Sequence, residues 1–295
     1  MAGPARPVAI LGLGLIGGSV ARALTRAGGW HVIAWGRSPD ALERAMVDGA
    51  IDEVAPDPMT AAASAQLVLL ATPLPVILEM LQALGPGLAA AGVLVTDVGS
   101  SKSLVMAAAD HVPGLRFVGG HPMSGAESAG YAASRASLFD ERPWVVVPGR
   151  ASLPEDVAAV GDLARACGAR PVELDAPTHD RAVAAISHLP LVASLALAQA
   201  ALASPDWPIA RQLAAQGWRD MTRLARGEPA MGGGMLATNA PAVAERLRDL
   251  RAALDAWQVR LDALAAASTD RPDEPSGVAE LTASLHGIAE RLAGP

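Results

Sequence analysis

The amino-acid sequence predicts a doubly wound parallel α/β domain followed by an all-α domain. Short β-rich runs alternate with helical patterns as far as about residue 150, and the strand signal stops after Asp175. A glycine-rich turn also follows the first predicted strand. We therefore expect two domains, residues 1–174 and 175–295.

The predicted strands are short and apolar, as buried parallel strands usually are. In order they are VAILGLG, HVIAWG, LVLLATP, GVLVTDVG, RFVGG, PWVVVPG and PVEL. Helical patterns separate most of them, so consecutive strands are expected to form βαβ units with helices on both faces of the sheet.

The second half of the chain has helical spacing only. Residues 178–203 predict a long, largely buried helix, in which Pro190 indicates a kink or a new helix start. Helical spacing continues over residues 209–227 and 235–267. The polar segment 268–277 predicts a linker to a short final helix.

Composition limits the class of protein. The chain has 295 residues, of which 51% are hydrophobic and only 3% aromatic, so its core is built from Ala, Leu and Val. A net charge of −7 argues against nucleic acid or an anionic membrane as the main partner.

The single cysteine, Cys167, excludes an internal disulfide framework and a cysteine-rich metal site, and we expect no metal and a reducing, cytoplasmic setting. The glycine-punctuated start predicts a strand and turn rather than a signal peptide, and no uninterrupted apolar stretch reaches the ~18 residues of a spanning helix.

A GLGLIG pattern at residues 12–17 follows a predicted strand and opens a helix. Glycines in this pattern allow a tight turn and a close approach of the backbone to a pyrophosphate at the helix N-terminus. The context indicates a Rossmann-type dinucleotide site. The predicted cofactor-binding residues of this turn, and of the loop after the third predicted strand, are Gly12, Gly14, Leu15, Ile16, Gly17 and Thr72.

The end of the second predicted strand selects between NAD and NADP. An NAD site usually carries Asp or Glu there, but this chain has Gly36, Arg37 and Ser38. Arg37 and Ser38 are suited to a 2′-phosphate, so NADP is the predicted cofactor and NAD the second choice. The alternative is that Arg37 is only a surface arginine in a loop.

Three predicted loops, residues 71–73, 97–102 and 119–125, are expected at the carboxyl edge of the sheet, where ligands bind in such folds. His121 lies in the last loop, just past a strand, where glycines let it approach a ligand. A neutral imidazole there can take a proton from a hydroxyl. The alternative is a hydrogen-bonded structural histidine.

Several segments, spread from the first strand to about residue 265, have a distinctive pattern: LGLGLIGGS, DVGSSK, FVGGHPMSGAESAG, the stretch 138–144, HDRAVAAISHLP and GWRDMTRLA. In this order they resemble the prephenate/arogenate dehydrogenase family of tyrosine biosynthesis. The resemblance implies a nucleotide-binding domain and a helical domain that forms a homodimer. It also implies oxidative decarboxylation of a cyclohexadienol, with hydride transfer to NAD(P), loss of CO2 and aromatisation of the ring.

The resemblance assigns roles to individual residues. His121 matches the family's catalytic base, and Ser100 matches a serine that hydrogen-bonds the substrate hydroxyl and this histidine. Arg223 matches the arginine that holds the ring carboxylate, for which a planar guanidinium is suited.

Four further residues are predicted to bind substrate. Asp220 and Glu127 resemble members of a polar network at the site entrance. Ser187 and His188 lie on the helix that is expected to cross toward the cleft, with helix packing as the alternative role.

The chain departs from many prephenate-specific members at several positions. Leu191 replaces a histidine after SHLP, glycines including Gly232 replace a tryptophan and an aspartate, and Ala126 replaces a threonine. Together with Gly36, these departures resemble the cyanobacterial-type, NADP-linked arogenate dehydrogenases. The small-molecule substrate is accordingly expected to be arogenate or prephenate.

Two other functions stay open at the level of sequence. One is a dehydrogenase of a 4-amino-4-deoxyprephenate-like substrate in a specialised pathway. The other is a non-catalytic NADP(H)-sensing regulator, which gives no reason for His121 and Arg223 to coexist with an intact cofactor turn.

Overall fold

The computed structural model describes residues 5–125, 128–270 and 277–293. Within these ranges, eight strands form one sheet in the order β3-β2-β1-β4-β5-β6-β7-β8. The strands are β1 (Arg6–Leu11), β2 (Trp30–Trp35), β3 (Glu53–Val54), β4 (Leu67–Leu70), β5 (Leu94–Asp97), β6 (Arg116–Pro122), β7 (Pro143–Pro148) and β8 (Arg170–Glu173).

Helices alternate with the strands and then continue alone. Those of the sheet region are α1 (Leu15–Ala27), α2 (Pro39–Val47), α3 (Pro58–Ala63), α4 (Leu74–Ala90), α5 (Ser103–Asp110) and α6 (Pro154–Ala166). Those after the sheet are α7 (Ala176–Val183), α8 (Leu189–Leu202), α9 (Trp207–Leu213), α10 (Gln216–Met221), α11 (Pro229–Thr238), α12 (Ala240–Asp270) and α13 (Val278–Ala293).

The strand order reverses at β1, which pairs in parallel with β2 on one side and with β4 on the other. In doubly wound sheets, ligands bind at such a reversal, outside the carboxyl ends of the strands. Two separate clusters of buried apolar residues pack around the strands. The predicted fold class, a Rossmann-type sheet domain followed by helices, is confirmed.

One pair of strands is not parallel. β7 runs antiparallel to β6, whereas it pairs in parallel with β8. Within the described part of the connection between β6 and β7, a short 3-10 helix, Tyr131–Ala133, is the helical element. A connection without a crossover helix is typical of an antiparallel return, so the expectation of a wholly parallel sheet is wrong at this pair.

The helix predicted over residues 178–203 is divided and is more exposed than expected. A π-helical turn, Ala184–His188, joins α7 to α8, and Pro190 lies in the first turn of α8, as a helix start predicts. Length and composition would let Ala176–Leu202 cross a membrane, and only 22% of its most apolar window is buried. The prediction of a largely buried helix is therefore wrong for the single chain, and an exposed apolar face of this kind is typical of an interaction surface.

The chain divides into two compact units, Met1–Val243 and Ala244–Pro295. The first contains the sheet and α1–α11, and the second contains most of α12 together with α13. The domain boundary after residue 174 stays a prediction. Of the predicted linker, residues 268–270 belong to α12, and residues 271–276 lie outside the described residues.

Candidate active site

The turn between β1 and α1 has the geometry of a pyrophosphate site. Gly12 has φ +110°, and a Cβ there would meet the carbonyl oxygen of Ala71 at 2.6 Å. A Cβ on Gly17 would meet the carbonyl oxygen of Gly12 at 2.0 Å, so both positions require glycine. A Cβ on Gly14, the N-cap of α1, meets no described atom within 4 Å. The second glycine thus leaves open space before the helix N-terminus, which fits a dinucleotide.

The remaining residues predicted at this turn lie against it. Leu15 and Ile16 form the first turn of α1 and are half-buried. Thr72 follows β4, and its Cγ2 would lie 2.8 Å from a Cβ on Gly12. The structure therefore brings these residues together at the carboxyl edge of the sheet.

The segment after β2 is accessible. Arg37 and Ser38 are exposed, and Gly36 is half-buried. Ser38 also caps α2, since its Oγ accepts a hydrogen bond from the N–H of Ala41 at 3.3 Å. A Cβ on Gly36 would meet the backbone nitrogen of Leu13 at 3.6 Å, an ordinary contact, so packing does not require glycine here.

His121 lies on a strand rather than in a loop, contrary to the prediction. β6 continues through Pro122, because His121 pairs with Val145 and Pro122 with Trp144 of β7. Pairing with β7, which is distant in sequence, extends the strand through a glycine-rich stretch that does not predict one. Ser100 follows the adjacent strand β5, and the side chains of both His121 and Ser100 are half-buried.

A fully buried ion pair holds the residue before His121. The Lys102 ammonium contacts the Asp97 carboxylate and donates a hydrogen bond to the carbonyl oxygen of Gly120 at 2.8 Å. The N–H of Gly120 donates to Oδ1 of Asp97 at 3.0 Å. Burial lowers the pKa of Lys102, and contact with Asp97 opposes this. Buried pairs add little net stability, so we assign this one to fixing the backbone beside His121.

His121 is the first of three hydrogen-bonded side chains. Its Nδ1 lies 2.8 Å from Nε2 of His179, and Nδ1 of His179 lies 2.8 Å from Oδ1 of Asp180. His179 and Asp180 are adjacent on α7 and buried. The two Asp180 oxygens accept hydrogen bonds from the backbone N–H groups of Lys102 and Ser103, at 2.7 and 2.8 Å, at the start of α5.

The surroundings keep His121 neutral and Asp180 ionised. Burial, together with the neighbouring His179, Lys102 and His188, lowers the pKa of His121 well below its ordinary value. Burial opposes the ionisation of Asp180, but hydrogen bonds from His179 and from backbone N–H groups lower its pKa to about 2. Near pH 7 the arrangement therefore offers a neutral imidazole linked to a carboxylate.

Ser187 and His188 lie in the π-helical turn, a feature often found at functional sites. His188 is buried, its Nδ1 lies 3.1 Å from Nδ2 of Asn239, and the same Nδ2 donates to the carbonyl oxygen of Asp180 at 2.8 Å. Burial lowers the pKa of His188 to about 4, so this ring is neutral as well. Among the described residues, no hydrogen-bond partner reaches its Nε2.

Three predicted substrate residues are not brought to His121 by any described contact. Asp220 is exposed at the end of α10, and Arg223 is exposed just before the 3-10 helix Leu224–Arg226. That helix is tied to α8 by a hydrogen bond from its backbone to Oγ of Ser194 at 3.1 Å. Glu127 lies outside the described residues. The grouping of these residues with His121 stays a prediction.

The two main departures from prephenate-specific sequences lie next to each other. A Cβ on Gly232 would meet Cδ2 of Leu191 at 3.4 Å, so the two positions are neighbours across α8 and α11. The replacement of a histidine by Leu191 and the replacement of a tryptophan by Gly232 therefore change the same patch of the molecule.

Sequence reasoning missed four buried residues of the site, namely Asp97, Lys102, His179 and Asp180. All four lie in segments that carry the family resemblance, DVGSSK and HDRAVAAISHLP. The sequence shows the two segments as family motifs. It does not show that His121 and His179, 58 residues apart, are in contact.

Two family models match the chain in succession. Residues 20–173 match the nucleotide-binding domain of prephenate dehydrogenase, and residues 175–268 match its dimerization domain.

Individual relatives agree. The chain is 34% identical to a prephenate dehydrogenase of Bacillus subtilis, over 81% of this chain and 66% of that protein. It is 33% identical to a cyclohexadienyl dehydrogenase of Zymomonas mobilis, over 80% of this chain and 82% of that protein. The crystal structure of Synechocystis arogenate dehydrogenase matches with a TM-score of 0.75 and 29% identity, over 97% of this chain and 99% of that one. The family predicted from sequence is confirmed: the chain belongs to the prephenate/arogenate dehydrogenases, a family of NAD(P)-dependent oxidoreductases.

Proposed function

We propose that the chain catalyses the oxidative decarboxylation of arogenate, with prephenate as the second candidate, and that NADP is its preferred cofactor. The observation that carries the proposal is His121, a neutral and half-buried imidazole at the same edge of the sheet as the dinucleotide turn. A sensor protein needs the turn but has no use for such a base. The 4-amino-4-deoxyprephenate alternative is not favoured by the relatives that the chain resembles.

A nicotinamide bound at the β1–α1 turn would accept the hydride from the hydroxyl-bearing ring carbon, and CO2 would leave from the opposite ring carbon. The chain itself has to remove one proton and hold one anionic substrate. His121 takes the proton of the ring hydroxyl, a contribution of roughly 10²–10⁴ in rate. Ser100, in the loop after the neighbouring strand, hydrogen-bonds the same hydroxyl and keeps it in line with His121.

Arg223 holds the ring carboxylate, because a planar guanidinium can donate two parallel hydrogen bonds to it. Its position on a short exposed segment leaves it accessible to a ligand. The other proposed substrate neighbours are Asp220, Glu127, Ser187 and His188. The buried Nε2 of His188 supports its inclusion, since a bound group or a water can supply the missing partner.

The preference for arogenate is supported by the patch that Leu191 and Gly232 share. A histidine at the first position would add a hydrogen-bonding or cationic group, which suits an anionic side chain on the substrate. Leucine against glycine leaves an apolar, less crowded surface. The preference for NADP is supported by Arg37 and Ser38, exposed where NAD sites usually carry a carboxylate.

We also propose a homodimer in the cytoplasm, without a nucleic-acid or membrane partner. Residues 175–268 match a dimerization-domain model, and leucines of α8, among them Leu195 and Leu202, are exposed in the single chain. A second copy would cover this apolar face.

Absorbance of the reduced cofactor tests the activity directly. Purified protein with NADP should oxidise arogenate faster than prephenate, and His121→Asn should lower kcat by about 10²-fold or more with the NADP dissociation constant within about threefold. His111→Gln, at an exposed histidine on the far end of α5, is the matched control with unchanged kcat. Absence of turnover with both substrates would refute the proposed function, and unchanged kcat in His121→Asn would refute the base.

A further inference from the structure

We propose that His179 and Asp180 are positioning residues that keep the proton of neutral His121 on Nδ1, so that Nε2 is the atom that accepts the substrate proton. The inference rests on the proposed function, in which His121 is the base. It adds the reacting atom and the two side chains that select it.

The proton positions follow from the hydrogen bonds. An ionised carboxylate only accepts, so Nδ1 of His179, 2.8 Å from Asp180, carries a proton. In a neutral His179 ring, Nε2 then has a free lone pair. Nδ1 of His121 lies 2.8 Å from that atom and must donate to it. The remaining nitrogen of His121, Nε2, is therefore unprotonated.

The opposite arrangement would remove the base. A protonated His179 would donate to both neighbours, and the proton of His121 would move to Nε2, where the substrate hydroxyl needs a lone pair. That arrangement also places a second buried cation near Lys102, which is itself fully buried and acts on His121. Two like charges in one buried region repel each other, so this arrangement is the less favourable of the two.

The chain of hydrogen bonds also supports the charge that forms during the reaction. The substrate oxygen loses its proton and Nε2 of His121 gains it, so the ring becomes an imidazolium whose Nδ1–H still donates to His179. Asp180 favours this cation, whereas burial and the Lys102 ammonium oppose it. No second proton transfer is needed, and the proton leaves later through the accessible side of His121. The carboxylate acts here through one intervening ring, whereas in serine hydrolases it contacts the base directly.

The same residues do not offer an alternative as a metal site. Within the described ranges, no group of three or more His, Cys, Asp or Glu side chains is arranged to hold a metal ion. Two hydrogen bonds of 2.8 Å in series, each between a donor and an acceptor, account for the geometry instead.

Nitrogen NMR of protein labelled in its histidine rings tests the proton position without any substrate. In the wild-type protein near pH 7, His121 should be protonated at Nδ1 and unprotonated at Nε2. Histidine resonances are assigned by comparison with His121→Asn and with His111→Gln.

Replacement of His179 tests the consequence for catalysis. His179→Leu removes the acceptor, so His121 should lose its single tautomer and kcat should fall about 10- to 100-fold, with the arogenate KM within about threefold. His179→Gln, whose amide offers one acceptor and one donor, should regain at least about tenfold of that loss. Val183→Ala, a truncation at a buried position on the same helix, controls for lost packing and should lower Tm without changing kcat.

Each outcome decides the inference. His121 protonated at Nε2 in the wild-type protein would overturn it, even if arogenate is oxidised. Equal kcat in the wild type and His179→Leu would overturn it as well. A protein with Nδ1-protonated His121 that oxidises neither arogenate nor prephenate would instead refute the proposed function and leave the hydrogen-bond assignment intact.

Discussion

At the scale of single residues, one substitution at Gly36 tests the proposed preference for NADP. Gly36 lies at the end of β2, and a Cβ there has ordinary contact distance to the nearest backbone atom. The absence of a carboxylate at this position therefore has no packing reason. Charge is the remaining physical difference, because a carboxylate binds a ribose 2′-OH and repels a 2′-phosphate.

Gly36→Asp should shift the preference from NADP toward NAD by at least about tenfold in the ratio of kcat/KM values, since both a repulsion and a new hydrogen bond act in that direction. Steady-state kinetics with each cofactor measure the ratio. Gly36→Asn, of similar size and without charge, should produce only a small part of the shift. An unaltered ratio in Gly36→Asp would show that the loop does not read the 2′ position.

At the residue level, sequence is informative where the signal is local. The glycine pattern at residues 12–17 is such a signal, because a Cβ on Gly12 or Gly17 would meet a carbonyl oxygen, whereas a Cβ on Gly14 would point into open space. His179 and Asp180 have no such local signal. Their relation to His121 depends on the packing of α7 against α5 and β6, and only the folded chain brings those elements together.

At the scale of elements, the β1–α1 turn contains one glycine that the fold requires and another that leaves space for a ligand. Gly17 is required by packing, since its Cβ would meet a carbonyl oxygen at 2.0 Å, whereas Gly14 faces open space at the helix N-terminus. Two glycines three residues apart therefore differ in what an added methyl group would disturb.

Gly17→Ala should destabilise the fold by about 1–3 kcal/mol, which lowers Tm by several degrees. Gly14→Ala should leave Tm within about 2 °C and weaken NADP binding by at least about tenfold, because the methyl group occupies the space of the pyrophosphate. Thermal unfolding and cofactor titration of the two variants give the comparison. Loss of stability in Gly14→Ala, or normal NADP binding in it, would contradict this division.

The helices and strands that the sequence predicts best are those with a clear local pattern of apolar residues. The buried runs of β1 and β4 are apolar throughout and appear in the sequence as strands, and β5 begins with the apolar pair Leu94 and Val95. β3 has two exposed residues and no apolar pattern, so nothing local indicates it. The extension of β6 through His121 depends on pairing with β7, which periodicity does not describe. Periodicity also does not show that leucines of α8 are exposed in the single chain.

At the scale of the whole molecule, we expect stability to depend on pH through two neutral histidines, one half-buried and one buried. His121 and His188 have pKa values lowered from the ordinary 6.5, in the case of His188 to about 4. The unfolded chain therefore binds more protons than the folded chain between these values. We therefore expect full stability above about pH 6.5 and a loss of stability as the pH falls toward 4. Asp180 acts in the same direction only below its ordinary pKa of 3.8.

Urea unfolding at constant protein concentration should show a free energy of unfolding that falls by about 3 kcal/mol or more between pH 7 and pH 4.5. His188→Gln should reduce this dependence, whereas the exposed His111→Gln should leave it unchanged. A free energy of unfolding that stays constant over this range would contradict the neutrality of both rings.

The hydrogen bonds that hold the Gly120 backbone between Asp97 and Lys102 have a consequence for laboratory evolution of the enzyme. A Cβ at residue 120 would lie 2.4 Å from the carbonyl oxygen of Asp97, so a randomised codon there would return glycine alone among active clones. Libraries aimed at new substrates should instead vary Leu191 and Gly232, which lie next to each other and away from these three residues. Because the two positions are neighbours, they should be randomised together, since the best residue at one depends on the residue at the other.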